Sequence, residues 1–443
     1  MCHIKGPLQK SGYNNKNMTH SKPASFTFDN LGIDPRILLI LKKNAFLSPT
    51  PIQYQCIPQI LNGKDIVGIA QTGTGKTLAF ALPIIQALEK NKGQALILVP
   101  TRELAIQADE MIYKIGRNLE IRTAIIIGGT SMDRQIRDIR RNPHIIIATP
   151  GRLLDHLKRK IFDLRNIKTV VLDEADRMFD IGFLPDIKHI LSMAPVNRQT
   201  LLFSATISPA IANIASNFMK TPVRIEVAPS GTVASGVKQE LFILRKEEKI
   251  SLLKKILEDN PGTILVFSRT KYGTKKIAKS LIAMGYSASE IHSDRSLFQR
   301  KEAMAGFKSG KYRVLIATDI AARGIDVSHI SIVVNFDLPD NSEDYVHRIG
   351  RTGRAGSIGR AISFATSNQR NSIRQIERLI KKPISVSALP KLPKFENIAI
   401  DIPYSDKKKE ERNNKRTFSY NNRNRYGKQN KNKRHFSYGR GRN

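Results

Sequence analysis

The sequence predicts an α/β protein made of two parallel-sheet domains in series, followed by a disordered basic tail. Three observations predict it. Short apolar, β-branched runs alternate with helix-period segments in two successive blocks. The alternation pauses at residues 228–236 (APSGTVASG), small residues with Pro and Gly that read as a linker. Residues 407–443 hold 14 Lys/Arg and 2 Asp/Glu among Asn, Gly and Ser, with almost no aliphatics, so they cannot bury enough surface to fold alone.

In order, residues 1–25 read as a disordered leader without Asp, Glu or Arg. They lack the apolar stretch of a secretory signal, and the missing Arg argues against a mitochondrial presequence. Residues 26–227 form the first domain, with strands expected at DIVGIA, ALILVP, AIIIGG, HIIIAT, TVVLDEA and TLLFSA. Such sheets carry helices on both faces and bind ligands at the C-terminal ends of their strands. Residues 237–385 form the second domain, with strands at TILVFS, YRVLIAT, SIVVNF and AISFAT, and 386–443 form the tail. Within the tail, RTFSY at 416–420 echoes RHFSY at 434–438.

Composition narrows the function. The chain of 443 residues is long enough for two or three full cores. Its net charge of +35 is more than a fold needs, and a polyanionic partner would account for it. Removing the tail still leaves +23, so the basic character belongs to the folded part too. Only Cys2 and Cys56 are present, which excludes a disulfide scaffold and a cysteine-rich zinc site and suits a reducing, cytoplasmic compartment. No apolar run approaches a membrane span.

Three motifs carry chemistry. AQTGTGKT (70–77) follows a strand and opens a helix. Backbone N–H groups from Thr72, Gly73, Thr74 and Gly75 can wrap phosphates, Lys76 can reach the β- and γ-phosphates, and the Thr77 hydroxyl can ligate Mg²⁺. Ala70 stands where the general pattern has Gly. VVLDEAD (170–176) puts carboxylates at the end of a buried strand, where Asp173 can hold Mg²⁺ through water and Glu174 can deprotonate the attacking water. HRIGRTGRAG (347–356) supplies Arg348, Arg351 and Arg354 from the second domain. A guanidinium arriving on domain closure stabilises charge as it develops, which makes hydrolysis depend on closure.

With these motifs the chain resembles the DEAD-box RNA helicases, and within them the bacterial RhlE-type proteins with a short core and a basic tail. The resemblance spans about Phe26 to Lys382 and adds Phe28, FLSPTPIQ (46–53), PTREL (100–104), Gly128 and Gly129, TPGR (149–152), SAT (204–206), VFSRT (266–270) and ATDIAARGID (317–326). It implies two RecA-like domains, ATP and Mg²⁺ as cofactors, and RNA as partner. It also implies roles: Gln53 bonding the adenine edge with Phe46 stacked on the ring, and Asp326 meeting the ribose. Thr101, Arg102, Gly129, Thr149 and Arg152 would hold one RNA strand in the first domain, and Arg269, Arg300 and Thr318 in the second. Ser204, Thr206 and His347 would couple the two sites.

Three positions depart from the family pattern. Ala45 replaces the usual Gly before Phe46, expected to be mild. In HSDRSLFQR (292–300), Ser293 stands for Gly and Leu297 for a frequent Gln. Without that RNA contact, Leu297 is expected to pack against the second domain. An ATP-gated RNA clamp and a DNA translocase compete with the helicase reading. A clamp needs no hydrolytic base, and Phe46 with Gln53 belongs to the RNA-acting branch. Which RNA is served, and whether ribosomal or RNA-degradation complexes are partners, is not encoded, because phosphate contacts carry no sequence information.

Overall fold

The computed structural model describes residues 26–71, 73–90, 93–227, 236–322, 330–353 and 359–392. The expected leader, all of the linker but Gly236, the tail from residue 393, and the site residues Thr72, Asp326 and Arg354 lie outside the described residues.

Among the described residues two seven-stranded sheets form, and every strand pair is parallel. The first contains β1 (Ile66–Ile69), β2 (Gln94–Leu98), β3 (Thr123–Ile126), β4 (Ile145–Ala148), β5 (Ile167–Leu172), β6 (Gln199–Ser204) and β7 (Val223–Glu226), in the order β3-β4-β2-β5-β6-β1-β7. The second contains β8 (Val237–Ile243), β9 (Ile264–Phe267), β10 (Ala288–Ile291), β11 (Val314–Ala317), β12 (Ile332–Asn335), β13 (Gly359–Ala365) and β14 (Ser385–Val386), in the order β10-β11-β9-β12-β13-β8-β14. Counted from its own first strand, each sheet has the same order. The two domains are therefore one topology used twice, as two RecA-like domains require.

The inner strands are buried along their whole length: β1, β2, β4, β9, β11 and β12 have no exposed position. That is why they read as continuous apolar runs without alternation. Helices cover both faces, and each domain splits its core into clusters on either side of its sheet. The fold reaches past the expected boundary at 385. Val386 pairs with Leu241 on β8, the Ser387 N–H donates to the Leu241 carbonyl (2.8 Å), and Leu392 packs on the second core.

Candidate functional site

Strand order sorts the motifs. Strands β5, β6 and β1 are neighbours, and from their C-terminal ends come the 173–176 carboxylates, the 204–206 segment and the phosphate loop. Strands β3, β4 and β2 form the other half of the sheet, and after them come Gly129, Thr149 with Arg152, and Thr101 with Arg102. In the second domain the equivalent half, β10-β11-β9, leads to Arg300, Thr318 and Arg269. One half of the first sheet thus gathers the residues expected at ATP. The other halves gather those expected at RNA.

The phosphate loop is built for close backbone approach. Gly73 and Gly75 adopt φ of +83° and +85°, and a Cβ at Gly75 would collide with the Gln53 amide. Lys76 is buried and its Nζ donates to the Ala70 carbonyl (2.9 Å), inside the loop whose phosphates it would hold. The Thr77 hydroxyl sits half-buried at the start of helix Lys76–Lys90.

Gln53 braces this loop. Its Nε2 donates to the Gly75 carbonyl (3.0 Å) and its Oε1 accepts from the Thr50 N–H (2.9 Å), closing a capping box on helix Pro51–Leu61. A primary amide has two hydrogens and two lone pairs. One of each is left, the pair an adenine edge requires. Gln53→Ala is therefore expected to weaken ATP binding, and to weaken it more than GTP binding. Affinities for both nucleotides check this; equal losses would confine Gln53 to bracing the loop.

Phe46 is placed by the end of helix Pro35–Lys43. The Ala45 N–H donates to the Lys42 carbonyl (3.1 Å) and the Phe46 N–H to the Leu41 carbonyl (3.0 Å), a Schellman termination that requires a left-handed residue between them. Ala45 takes that conformation at φ +60°. The exchange is thus not as mild as its chemistry suggests, since a Cβ there costs about 1 kcal/mol. Phe46 is half-buried against the first core, while Phe28 lies wholly within that core.

At the carboxylates, burial pushes Asp173 up to about 6, with Lys76 opposing. Its Oδ1 accepts the Glu174 N–H (3.0 Å). Glu174 is buried with φ at +54°, a left-handed backbone that turns the chain sharply off β5. Glu174 Oε2 lies 3.1 Å from Arg177 Nη1, and Arg177 is 1% exposed. A buried carboxylate of raised pKa beside further carboxylates is an oxygen-donor setting that a hard divalent cation relieves, so Mg²⁺ fits Asp173 and Thr77. Among the described residues no three His, Cys, Asp or Glu side chains are grouped to hold a metal. Mg²⁺ needs no such cage, because it takes one or two protein ligands plus phosphates and water.

Asp176, to which motif spacing assigns no role, is the hub between motifs. Its Oδ2 accepts the N–H groups of Ala205 (2.9 Å) and Thr206 (3.1 Å), and its own N–H donates to Ser204 Oγ (3.3 Å). Burial alone would raise its pKa, but His347, Lys76, Arg177 and the amide donors hold it down. Burial and the nearby Arg177 push the His347 pKa well below its ordinary value, with Asp176 pulling the other way. Thr206 Oγ1 donates to Glu343 Oε2 of the second domain (3.2 Å). Ser204 works within the first domain; Thr206 and His347 reach between the two.

Of the arginines of 347–356, the two among the described residues differ in their surroundings. Arg348 forks onto Asp319 (2.5 and 2.6 Å), donates to Asn335 Oδ1 (3.2 Å) and the Asp337 carbonyl (2.6 Å), and lies 5.0 Å above the Phe267 ring. It is an anchor of the second domain. Arg351 is buried beside Arg177, His347 and Asp344 in the cleft between domains.

On the expected RNA face, Thr101 Oγ1 caps helix Arg102–Gly116 by accepting the Leu104 N–H (3.3 Å), and Thr149 is the buried N-cap of helix Pro150–Lys158. Gly129 has φ +76°, and a Cβ there would strike the Arg102 guanidinium. Arg152 lies near Met132 Sδ (3.8 Å) and Asp155 (3.9 Å). Arg269, half-exposed, meets Asp340 (3.3 Å) and the Leu338 carbonyl (3.2 Å); Thr318 is half-buried. Arg300 is 8% exposed and ion-pairs with Glu103 of the first domain at 2.7 Å. Leu297, expected against the second domain, packs instead on the first core. Helix Leu297–Lys308 therefore docks across the domain boundary, with Leu297 and Arg300 among its contacts.

Residues 50–214 match the DEAD/DEAH box helicase family, and residues 248–356 match the helicase conserved C-terminal domain. The chain is 43% identical over 369 residues to the DEAD-box ATP-dependent RNA helicase CshA of Bacillus cereus, covering 83% of this chain and 70% of that protein. Against CshA of Geobacillus kaustophilus it is 43% identical over 369 residues, covering 83% and 79%. Among solved structures it resembles S. cerevisiae Dbp5 bound to RNA and ADP BeF3, at TM-score 0.75 and 32% identity over 83% of this chain and 96% of that one.

Proposed function

The chain belongs to the DEAD-box RNA helicases, related to the bacterial CshA proteins, and we propose from that premise that it hydrolyses ATP to separate short RNA duplexes and remodel ribonucleoprotein complexes. The observation that carries this reading is the joint arrival of Lys76, Asp173, Glu174 and Asp176 with His347 and Arg351 in one interdomain cleft. Lys76 and the loop amides bind phosphates of the substrate. Asp173 and Thr77 would hold Mg²⁺, which would supply charge neutralisation there. Glu174 takes the proton of the attacking water. Arg351 meets the charge that develops on the transferred phosphoryl group, and Asp176 passes the state of the ATP site through Thr206 to Glu343.

Steady-state ATPase with and without RNA, together with strand displacement of a short duplex, tests the proposal. Turnover that needs RNA and displacement that needs ATP are expected. Turnover without displacement would favour the clamp, and equal stimulation by DNA the translocase.

Within the family we place the chain with RhlE-type proteins on its short core and basic tail, in the cytoplasm, with ribosomal or RNA-degradation complexes as its setting. Among the described residues no helix is long and apolar enough to cross a membrane. The tail, outside the described residues, interleaves its cations with Phe418, Tyr420, Tyr426, Phe436 and Tyr438, which suits capture of a strand by phosphate pairing and base stacking. Truncation after Asp406 is expected to lower RNA affinity and flatten its salt dependence, leaving RNA-saturated ATPase intact. A salt titration of RNA affinity checks this; superimposable slopes would remove the tail from the mechanism.

A further inference from the structure

Two elements of the expected RNA face are joined by a single buried amide. Gln135, on helix Met132–Arg140, is 3% exposed. Its Nε2 donates to the Ile127 carbonyl (2.8 Å) and to Thr130 Oγ1 (2.5 Å), the residues on either side of Gly128 and Gly129. Its Oε1 lies 3.0 Å from His156 Nε2. His156 sits on helix Pro150–Lys158, one turn after Arg152.

The direction of every bond in this chain is determined. Thr130 Oγ1 gives its proton to the Ile127 carbonyl (3.1 Å), so it accepts from Gln135. Both amide hydrogens of Gln135 are then committed, and Oε1 must accept. His156 therefore carries its hydrogen on Nε2, and Nδ1 is bare. Nδ1 is buried with no hydrogen-bond partner among the described residues, and burial lowers the pKa of the ring. A buried amide and a buried imidazole cost free energy unless bonded, so this pair is an expensive way to fill space. What it provides is direction: the turn after β3 is fixed against the helix after β4.

We infer that Gln135 is a positioning residue for RNA, holding the Gly128–Gly129 turn in register with Arg152. The Arg102 guanidinium lies against the same two glycines, so the position of the turn also sets the position of Arg102. Three RNA-facing groups, Arg102, Gly129 and Arg152, are thus tied through one side chain, beyond the β3–β4 ladder that ends where the Thr149 N–H donates to the Ile126 carbonyl (3.0 Å). A strand of regularly spaced phosphates is sensitive to that spacing, since small misplacements of a binding group carry large penalties. The inference rests on the reading of Arg102, Gly129 and Arg152 as RNA contacts.

The test uses the full chain and a short labelled polyuridine RNA, measuring RNA affinity, the RNA concentration for half-maximal ATPase, the saturated rate, ADP affinity and thermal melting. Gln135→Leu keeps the volume and removes the bonds. It is expected to raise the half-maximal RNA concentration about tenfold, the worth of one to two buried hydrogen bonds, with saturated rate and ADP affinity unchanged. His156→Leu should follow it, and His156→Gln, which retains a donor at the same reach, should not. Gln135→Leu with normal RNA affinity while Arg152→Ala loses it would overturn the inference. So would loss of RNA affinity, ADP affinity and melting temperature together, the mark of a purely structural residue. Arg152→Ala with normal RNA affinity would overturn the RNA reading of this face, and the inference with it.

Discussion

Glu174→Gln is expected to abolish most of the RNA-stimulated turnover while leaving ADP and RNA binding in place. Loss of a general base lowers a rate by about 10²- to 10⁴-fold, and Gln is isosteric but cannot take up the proton of the attacking water. The position of the carboxylate supports the size of the effect. Glu174 stands at the end of β5, on a left-handed turn that costs about 1 kcal/mol and lifts it off the strand line, adjacent to Asp173 and across from Lys76. The substitution has a second consequence. It removes the charge opposite Arg177, a guanidinium whose three nitrogens have no hydrogen-bond partner among the described residues. Breaking a buried ion pair from one side can cost about 3–5 kcal/mol. A thermal melt belongs beside the ATPase assay for that reason. Normal ADP and RNA affinity with a lost rate identifies the base. Near-normal turnover would sink the assignment, and loss of all three readouts would make Glu174 a structural partner of Arg177.

What the sequence discloses follows from how each element is buried. The ten apolar runs read as strands all lie in the sheets, because central parallel strands are covered on both faces and need unbroken apolar sequence. The four strands it does not disclose each lack that signature. β10 (ASEI) spends two of four positions on Ser289 and Glu290, and Glu290 is tied up by Arg295. β7 and β14 are edge strands, the first alternating with Arg224 and Glu226 and the second two residues long. β8 (VKQELFI) carries three polar residues, one of which, Glu240, pairs with Arg360 on β13. The site divides the same way. Lys76, Asp173 and Glu174 are legible because their chemistry depends on local spacing after a strand. Asp176 is not, since nothing in DEAD says which carboxylate turns toward Ser204 and Thr206; the backbone turn at Glu174 decides that. The contacts of Leu297 and Arg300 with the first domain are equally silent, because two domains far apart in sequence leave no periodicity in each other.

Arg351→Gln and Arg348→Gln, three residues apart, are expected to fail in opposite ways. Arg351 lies in the cleft with Arg177, His347 and Asp344, on the side of the second domain that faces the ATP residues of the first. A guanidinium that meets charge only as it develops is worth about 10³- to 10⁵-fold in rate. Arg351→Gln should therefore lower the RNA-saturated rate by about 10³-fold or more. It should leave ATP affinity within a few-fold, because the loop and Gln53 that hold the nucleotide belong to the first domain. Its melting temperature should fall less than that of Arg348→Gln. Arg348 presents the reverse case. Its fork onto Asp319, its bonds to Asn335 and the Asp337 carbonyl, and its stacking on Phe267 join the ends of β9, β11 and β12 inside the second domain. Gln reaches too few of those acceptors and leaves Asp319 without its cation. Arg348→Gln should cost about 3–5 kcal/mol of second-domain stability, and its rate should fall because the domain fails, not because charge goes unmet. Both arginines line the small cavity beside Arg177, and their partners make the difference: helix Ser342–Ile349 holds Arg348 with Tyr345 and Ile349 against Asp319 and Phe267, whereas Arg351 follows the end of the helix at Gly350. Paired measurements of saturated rate and melting temperature separate the two. Arg351→Gln that melts early with its residual rate intact would assign Arg351 to the anchor, and Arg348→Gln that melts normally with a lost rate would exchange the two roles.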